Sequence, residues 1–169
     1  MTREYLGSVK LGSVASMTQK GRWVFLERHH EIAVSSVDAE GVIYCSPVWY
    51  TIIDQRIFLP IDQASKHFQN IEDGSKMTGV VFVGGEELCT ARGVQIQGQG
   101  QLVTDPALRE RCLDQLVEKI FGFGHPHKQT YIEYRESFDK NTLELVPDKM
   151  ITWDLRKTYN LPMYTSRRL

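Results

Sequence analysis

Between Ala91 and Val103 the chain alternates with a period of two: Gln95, Gln97, Gln99 and Gln101 share one face, and Val94, Ile96, Gly98, Gly100 and Leu102 the other. No helix can hold that pattern. A strand of this kind packs its apolar face on a core, and its glycines let a barrel strand bend or another backbone approach. Such a strand needs neighbours, and the sequence supplies them. Glu31–Val37 is β-branched and ends in the turn Asp38-Ala39-Glu40-Gly41. Val42–Ile53 reads as one long strand, Asp54-Gln55 as a tight turn, and Arg56–Ile61 as the next strand. Lys76–Val83 is another, ended by Gly84-Gly85, and Leu143–Asp154 is the last, interrupted at Pro147.

Helical patterns are fewer. Thr18–His29 carries Trp23, Val24 and Leu26 on one side, and Ala64–Asp73 is brief, with Ser65 as N-cap and Gly74 as stop. Asp105–Gly122 has the strongest pattern: Asp105 caps it, Pro106 suits its first turn, and Leu108, Cys112, Leu116 and Ile120 form a stripe. About six strands and three helices without βαβ alternation predict a mainly β fold, a small antiparallel barrel with appended helices. The expected organisation is an arm over 1–17, one domain over 18–157 and a tail over 158–169.

Composition removes several function classes. A formal net charge of −1 gives no electrostatic footprint for nucleic acid, and the terminal Arg167-Arg168 pair reads as solvated. No apolar run approaches the roughly 18 residues of a membrane span, and Met1–Lys20 lacks a signal core, so a cytoplasmic protein is expected. Cys45, Cys89 and Cys112 form no CxxC pair, which argues against a disulfide framework or structural zinc. There is no GxSxG elbow, phosphate-binding P-loop or HExxH helix, and GVQIQGQG lies within a strand, so it is no dinucleotide fingerprint. The adjacent His29 and His30 point apart, and the His125/His127 pair shows no third ligand by spacing and reads best as a loop pair meeting solvent. With no carboxylate pair placed for acid–base work, an enzyme built this way would rely on a cofactor.

Two places carry candidate binding chemistry. In Cys45-Ser46-Pro47-Val48-Trp49-Tyr50 the proline cannot donate to a ladder, so the sheet is open, bulged or at an edge there. An edge would leave backbone groups and the Ser46 hydroxyl for something planar and polar; a plain edge strand accounts for the proline equally well. Ser65 and Lys66 are the second place. A cation in the first turn of a helix costs roughly 0.3–1 kcal/mol, which an anion bound there would reverse. Taken alone, a solvated lysine on a capped helix explains the pair better than a phosphate does.

In order, these segments resemble the flavin-binding split-barrel family of pyridoxamine 5'-phosphate oxidase and its relatives. The likeness runs over roughly 18–157. It passes through Ile32–Val37, Ser46–Tyr50, Ile57-Phe58-Leu59, Ser65-Lys66 with Asn70-Ile71, Gly79–Phe82, Gly98–Val103 with Asp105-Pro106, and Pro147–Asp154. The resemblance implies a six-stranded antiparallel split barrel holding FMN at a homodimer interface. Ser46, Val48 and Trp49 would line the isoalloxazine ring or ribityl chain, Pro60 and Ile61 would touch it, and Ser65 and Lys66 would bind the phosphate. Arg92 and Trp153 would close the site from the partner. The implied activity is hydride transfer to or from a small organic molecule, with side chains holding and tuning the flavin.

Many relatives carry an arginine where this chain has Ser65, which implies a weaker phosphate grip or a different cofactor. The 8-hydroxy-5-deazaflavin coenzyme is the alternative, its longer anionic tail needing a basic groove from residues such as Lys10, Lys20, Arg22 or Lys128. Non-catalytic readings are a flavin carrier or sensor, and a haem-binding relative using the His125/His127 loop. Residues that would fix pyridoxal phosphate are not recognisable over Lys157–Leu169, so a vitamin B6 oxidase is not expected.

Overall fold

The computed structural model describes residues 14–72, 76–84, 90–136 and 140–158. Most of the expected arm and tail, together with Gly74, Gly85 and Cys89, lie outside them. The elements in chain order are α1 (Gln19–Arg28), β1 (Glu31–Val37), β2 (Ile43–Trp49), β3 (Thr51–Ile53), β4 (Arg56–Asp62) and α2 (Lys66–Glu72). They continue with β5 (Lys76–Val83), β6 (Arg92–Leu102), α3 (Pro106–Phe121), α4 (Lys128–Glu136) and β7 (Lys140–Asp154), then a 3-10 turn over Leu155–Thr158. The strands form one antiparallel sheet in the order β2-β1-β5-β6-β7-β4-β3.

That order fixes the shape. β2 and β3 are opposite edges of the sheet, yet a single residue, Tyr50, joins them. The sheet must therefore curl until its two edges meet, and the chain closes the seam that hydrogen bonds leave open. The long strand expected over Val42–Ile53 is thus two strands, which makes seven where six were expected. Tyr50 is fully buried and anchored at three points. Its amide donates to the His30 carbonyl at 3.2 Å, its hydroxyl to the Leu26 carbonyl at 2.5 Å, and its carbonyl accepts from Lys119 Nζ at 3.2 Å.

Local chemistry explains the remaining geometry. Asp38 closes the β1–β2 turn by accepting from the amides of Glu40 and Val42, and Gly41 adopts φ 84°. Asp54 and Gln55 both have positive φ, the two-residue turn whose twist suits a hairpin. Along β6, Val94, Ile96 and Gly98 are buried and the glutamines are partly or fully exposed, as the alternation predicts; Leu102, on the expected inner face, is exposed. β7 passes through Pro147 without breaking because the register shifts between Gln97 and Gly98 opposite it. A Cβ on Gly98 would lie 1.9 Å from the Val146 carbonyl oxygen, so only glycine fits the bulge. The barrel interior is filled by Leu26, Ile32, Val34, Ile57, Leu59, Ile96, Leu143 and Leu145, all at 0% exposure.

α4 falls between Gly122 and Leu143, a stretch for which the sequence predicts no helix. Its ring contacts anchor it: Tyr131 stacks on Phe121 of α3 at 5.0 Å and on Trp49 of β2 at 5.6 Å. No described helix is long and apolar enough to cross a membrane.

Candidate functional site

β2 is an edge strand, paired with β1 alone, and Pro47 sits opposite Ala33 where the outer edge needs no donor. Side chains at Tyr44, Ser46 and Val48 point to one face of β2, while Cys45, Pro47 and Trp49 point to the other and are exposed. The inward face meets the start of α2. Ser65 caps that helix, its hydroxyl accepting from the Phe68 amide at 3.2 Å and its carbonyl from the Gln69 amide at 3.2 Å. Lys66 follows in the first turn, exposed, its Nζ 5.9 Å from the centre of the Tyr44 ring.

Behind this corner runs a chain of buried polar groups. Asn70 Nδ2 donates to Ser36 Oγ at 2.8 Å, Ser36 Oγ lies 2.9 Å from His67 Nδ1, and His67 Nε2 lies 2.8 Å from Ser46 Oγ. Ser36 is 1% exposed and already accepts from Asn70, so its own proton is satisfied by donation to Nδ1. His67 then carries its proton on Nε2 and donates to Ser46, whose hydroxyl hydrogen remains for a ligand. Burial holds the His67 pKa below its ordinary value, so the ring is neutral near pH 7 and can both accept and donate.

Charge at the corner is mixed. The Val42 amide, then the Tyr44 phenol, the Glu40 amide and nearby Lys66, hold the Asp38 carboxylate below the usual range. Its charge is thus largely absorbed by its own turn. Lys66 itself has no carboxylate within 4 Å among the described residues.

Of the nine residues the sequence singles out, Ser65 and Lys66 open α2, Ser46 of β2 is bonded by His67 of that helix, and Val48 lies two residues along the same face of β2. Trp49 faces the other way, 37% exposed, and stacks on Tyr131. Ile61 is buried in the core and its neighbour Pro60 is half-buried on β4. Arg92 and Trp153 lie at the other end of β6, where Trp153 covers Gly93 so closely that a Cβ there would sit 2.1 Å from its ring. From Gly100, which packs against Ile71 of α2, Arg92 is eight residues away, about 26 Å along a strand.

His67 and Asn70 are the residues of this site that sequence reasoning missed. A histidine and an asparagine three positions apart on a short helix carried a signal, since that spacing aligns them on one face. What was hidden is that the face lies against Ser36 and Ser46. Among the described residues no group of three or more His, Cys, Asp or Glu side chains is arranged to hold a metal ion.

Solved structures share this architecture at low identity. The conserved hypothetical protein Rv2991 of Mycobacterium tuberculosis superposes with a TM-score of 0.77 at 18% identity, over 86% of this chain and 90% of that one. HutZ, the haem storage protein of Vibrio cholerae, gives 0.62 at 15% identity, over 79% and 96%. An FAD-binding protein of Mesorhizobium loti gives 0.61 at 10% identity, over 81% and 93%. At these identities the likeness concerns the fold. No match was found among curated protein sequences. The pyridoxamine 5'-phosphate oxidase family profile, however, matches residues 24–154, most of the chain. With the curled seven-stranded sheet and its chain-closed seam, that match establishes that this chain belongs to the pyridoxamine 5'-phosphate oxidase family.

Proposed function

We propose that the protein binds FMN, with the phosphate at the corner of β2 and α2, and serves as a flavin-dependent oxidoreductase. The observation that carries this reading is the junction of an edge strand with the start of α2, where His67 bonds the Ser46 hydroxyl, Ser65 caps the helix and the Lys66 ammonium lies over the Tyr44 ring. That donor set fits a phosphate monoester. Lys66 supplies the charge, the Ser65 and Ser46 hydroxyls supply donors, and the buried His67–Ser36–Asn70 chain holds Ser46 in place. Only one cation contributes, so the grip is weaker than a lysine–arginine pair would give.

FMN, when bound, supplies the hydride and electron chemistry. The chain's own residues bind and orient it. Val48 offers apolar contact next to Ser46, and the exposed outer edge of β2 offers backbone groups to a polar ring edge. Arg92 at the start of β6 and Trp153 beside it on β7 stand too far from that corner to reach it within one chain, so in this reading they act from the second copy of a homodimer. The family includes haem-binding as well as flavin-binding proteins, and the structural neighbours above include one of each. A haem reading has one observation in its favour, the exposed His125 and His127 rings 5.7 Å apart. The phosphate corner favours flavin.

The visible spectrum of freshly purified protein separates these readings. Bands of a bound flavin are expected, and native mass spectrometry then distinguishes FMN from the deazaflavin coenzyme by mass. A Soret band that His125→Ala with His127→Ala abolishes would overturn the proposal.

A further inference from the structure

Between the end of α1, β3 and α3 lies a cavity of about 430 Å³. Gln115, Glu118 and Lys119 line it from α3, Glu27 from α1, and Thr51 and Ile52 from β3. The spacing of three and four residues puts the α3 members on one face. Lys119 is held there by the fold. Its Nζ donates to two backbone carbonyls, those of Leu26 at 3.4 Å and Tyr50 at 3.2 Å, and stands 3.8 Å from the centre of the Tyr50 ring. No carboxylate lies within 4 Å of it among the described residues. Burial pulls its pKa down to about 8, against the weaker attraction of Glu27. The other titratable groups nearby leave that balance alone near pH 8. His29, its pKa lowered chiefly by burial, is neutral there; the Tyr50 phenol, its pKa raised by burial, keeps its proton; and Glu118 is paired with Lys128 of α4.

An ammonium has three N–H groups and no lone pair. The neutral amine has two N–H groups, one for each carbonyl, and a lone pair that neither carbonyl occupies. A positioned free amine thus lines a cavity whose volume lies within the range of small-molecule sites. We propose that Lys119 is a site of covalent acylation, taking the acyl group of a small neutral thioester that enters this cavity. Glu27 and Glu118 in its wall disfavour an anionic donor. The lone pair attacks the thioester carbonyl carbon, an N–C bond forms and the C–S bond breaks. The thiolate leaves with that electron pair and takes up the proton the nitrogen loses, so nothing is oxidised or reduced. The resulting amide is uncharged and has one N–H, so it can serve only one of the two carbonyls that Lys119 holds. None of these residues belongs to the β2–α2 corner, and the inference does not rest on flavin binding.

The test treats the full chain with millimolar S-acetyl-N-acetylcysteamine, a neutral thioester, and reads the acetylation rate at each lysine by peptide mass spectrometry. Near pH 8 the neutral fraction of Lys119 is about a hundred-fold that of an ordinary lysine, part of which its lower basicity gives back. Lys119 is therefore expected to react about five-fold or more faster than the median of the other lysines. Its rate levels off by about pH 9, whereas theirs still climbs toward about pH 10. In concentrated guanidinium chloride the advantage disappears, because the fold creates it, and in Lys66→Ala it persists. A rate no greater than the median, a rate that climbs with pH like the others, or an excess that survives in the denatured chain would each overturn the proposal. Absence of FMN binding touches none of these results.

Discussion

His67 shows how much one side chain can organise. It links Ser36 of β1 to Ser46 of β2 through both ring nitrogens and is 6% exposed. His67→Ala strands the Ser36 and Ser46 hydroxyls and is expected to lower stability by about 1–3 kcal/mol, read from urea denaturation. It should also weaken FMN binding, because Ser46 loses its fixed orientation. The same ring sets a pH dependence. Its folded pKa lies below the unfolded value of about 6.5, so the unfolded chain takes up the proton first. Stability is full above that pH and declines as pH falls through it toward the folded pKa. His29, also depressed, acts in the same sense. Thermal midpoints measured from pH 7.5 to 5.5 should fall, and His67→Gln should flatten the fall. A half-buried cation is Lys119, whose pKa burial pulls down to about 8 while Nζ donates to the Leu26 and Tyr50 carbonyls. It remains mostly charged at neutral pH and fastens α3 to the seam.

Among the elements, those legible in the sequence were the ones whose signal is local. The β6 alternation, the Asp105–Pro106 start of α3 and the Asp54-Gln55 hairpin depend on neighbours a few residues away, and each stands where it was expected. The break at Tyr50 and the helix α4 depend on distant contacts. Tyr50 is pinned by Leu26, His30 and Lys119, and α4 is held through Tyr131 by Phe121 and Trp49, none of which spacing along the chain reveals. The candidate site divides the same way. Ser65 as a cap was readable, whereas the Ser46 partner His67 required knowing that α2 lies against β1 and β2. The Gly98 bulge gives an element-scale prediction. Gly98→Ala forces a methyl toward the Val146 carbonyl and should cost about 1–3 kcal/mol or more by chemical denaturation, since backbone must shift on both strands.

For the molecule as a whole, the arrangement that matters is a barrel with two ends of different chemistry. One end holds Ser46, Ser65 and Lys66, and the other gathers arginines around a cavity. Family membership and the curled sheet account for the scaffold, and in the function proposed here the polar corner beside its open edge would hold the cofactor phosphate. In the dimer proposed here, sedimentation velocity should give twice the chain mass. The most direct measurement is FMN titrated into the apoprotein by flavin fluorescence, wild type beside Lys66→Ala. One FMN per chain, with affinity about ten-fold or more lower in the variant and its thermal unfolding little changed, is the predicted result. Absence of saturable FMN binding, or equal affinity in the two proteins, would contradict it.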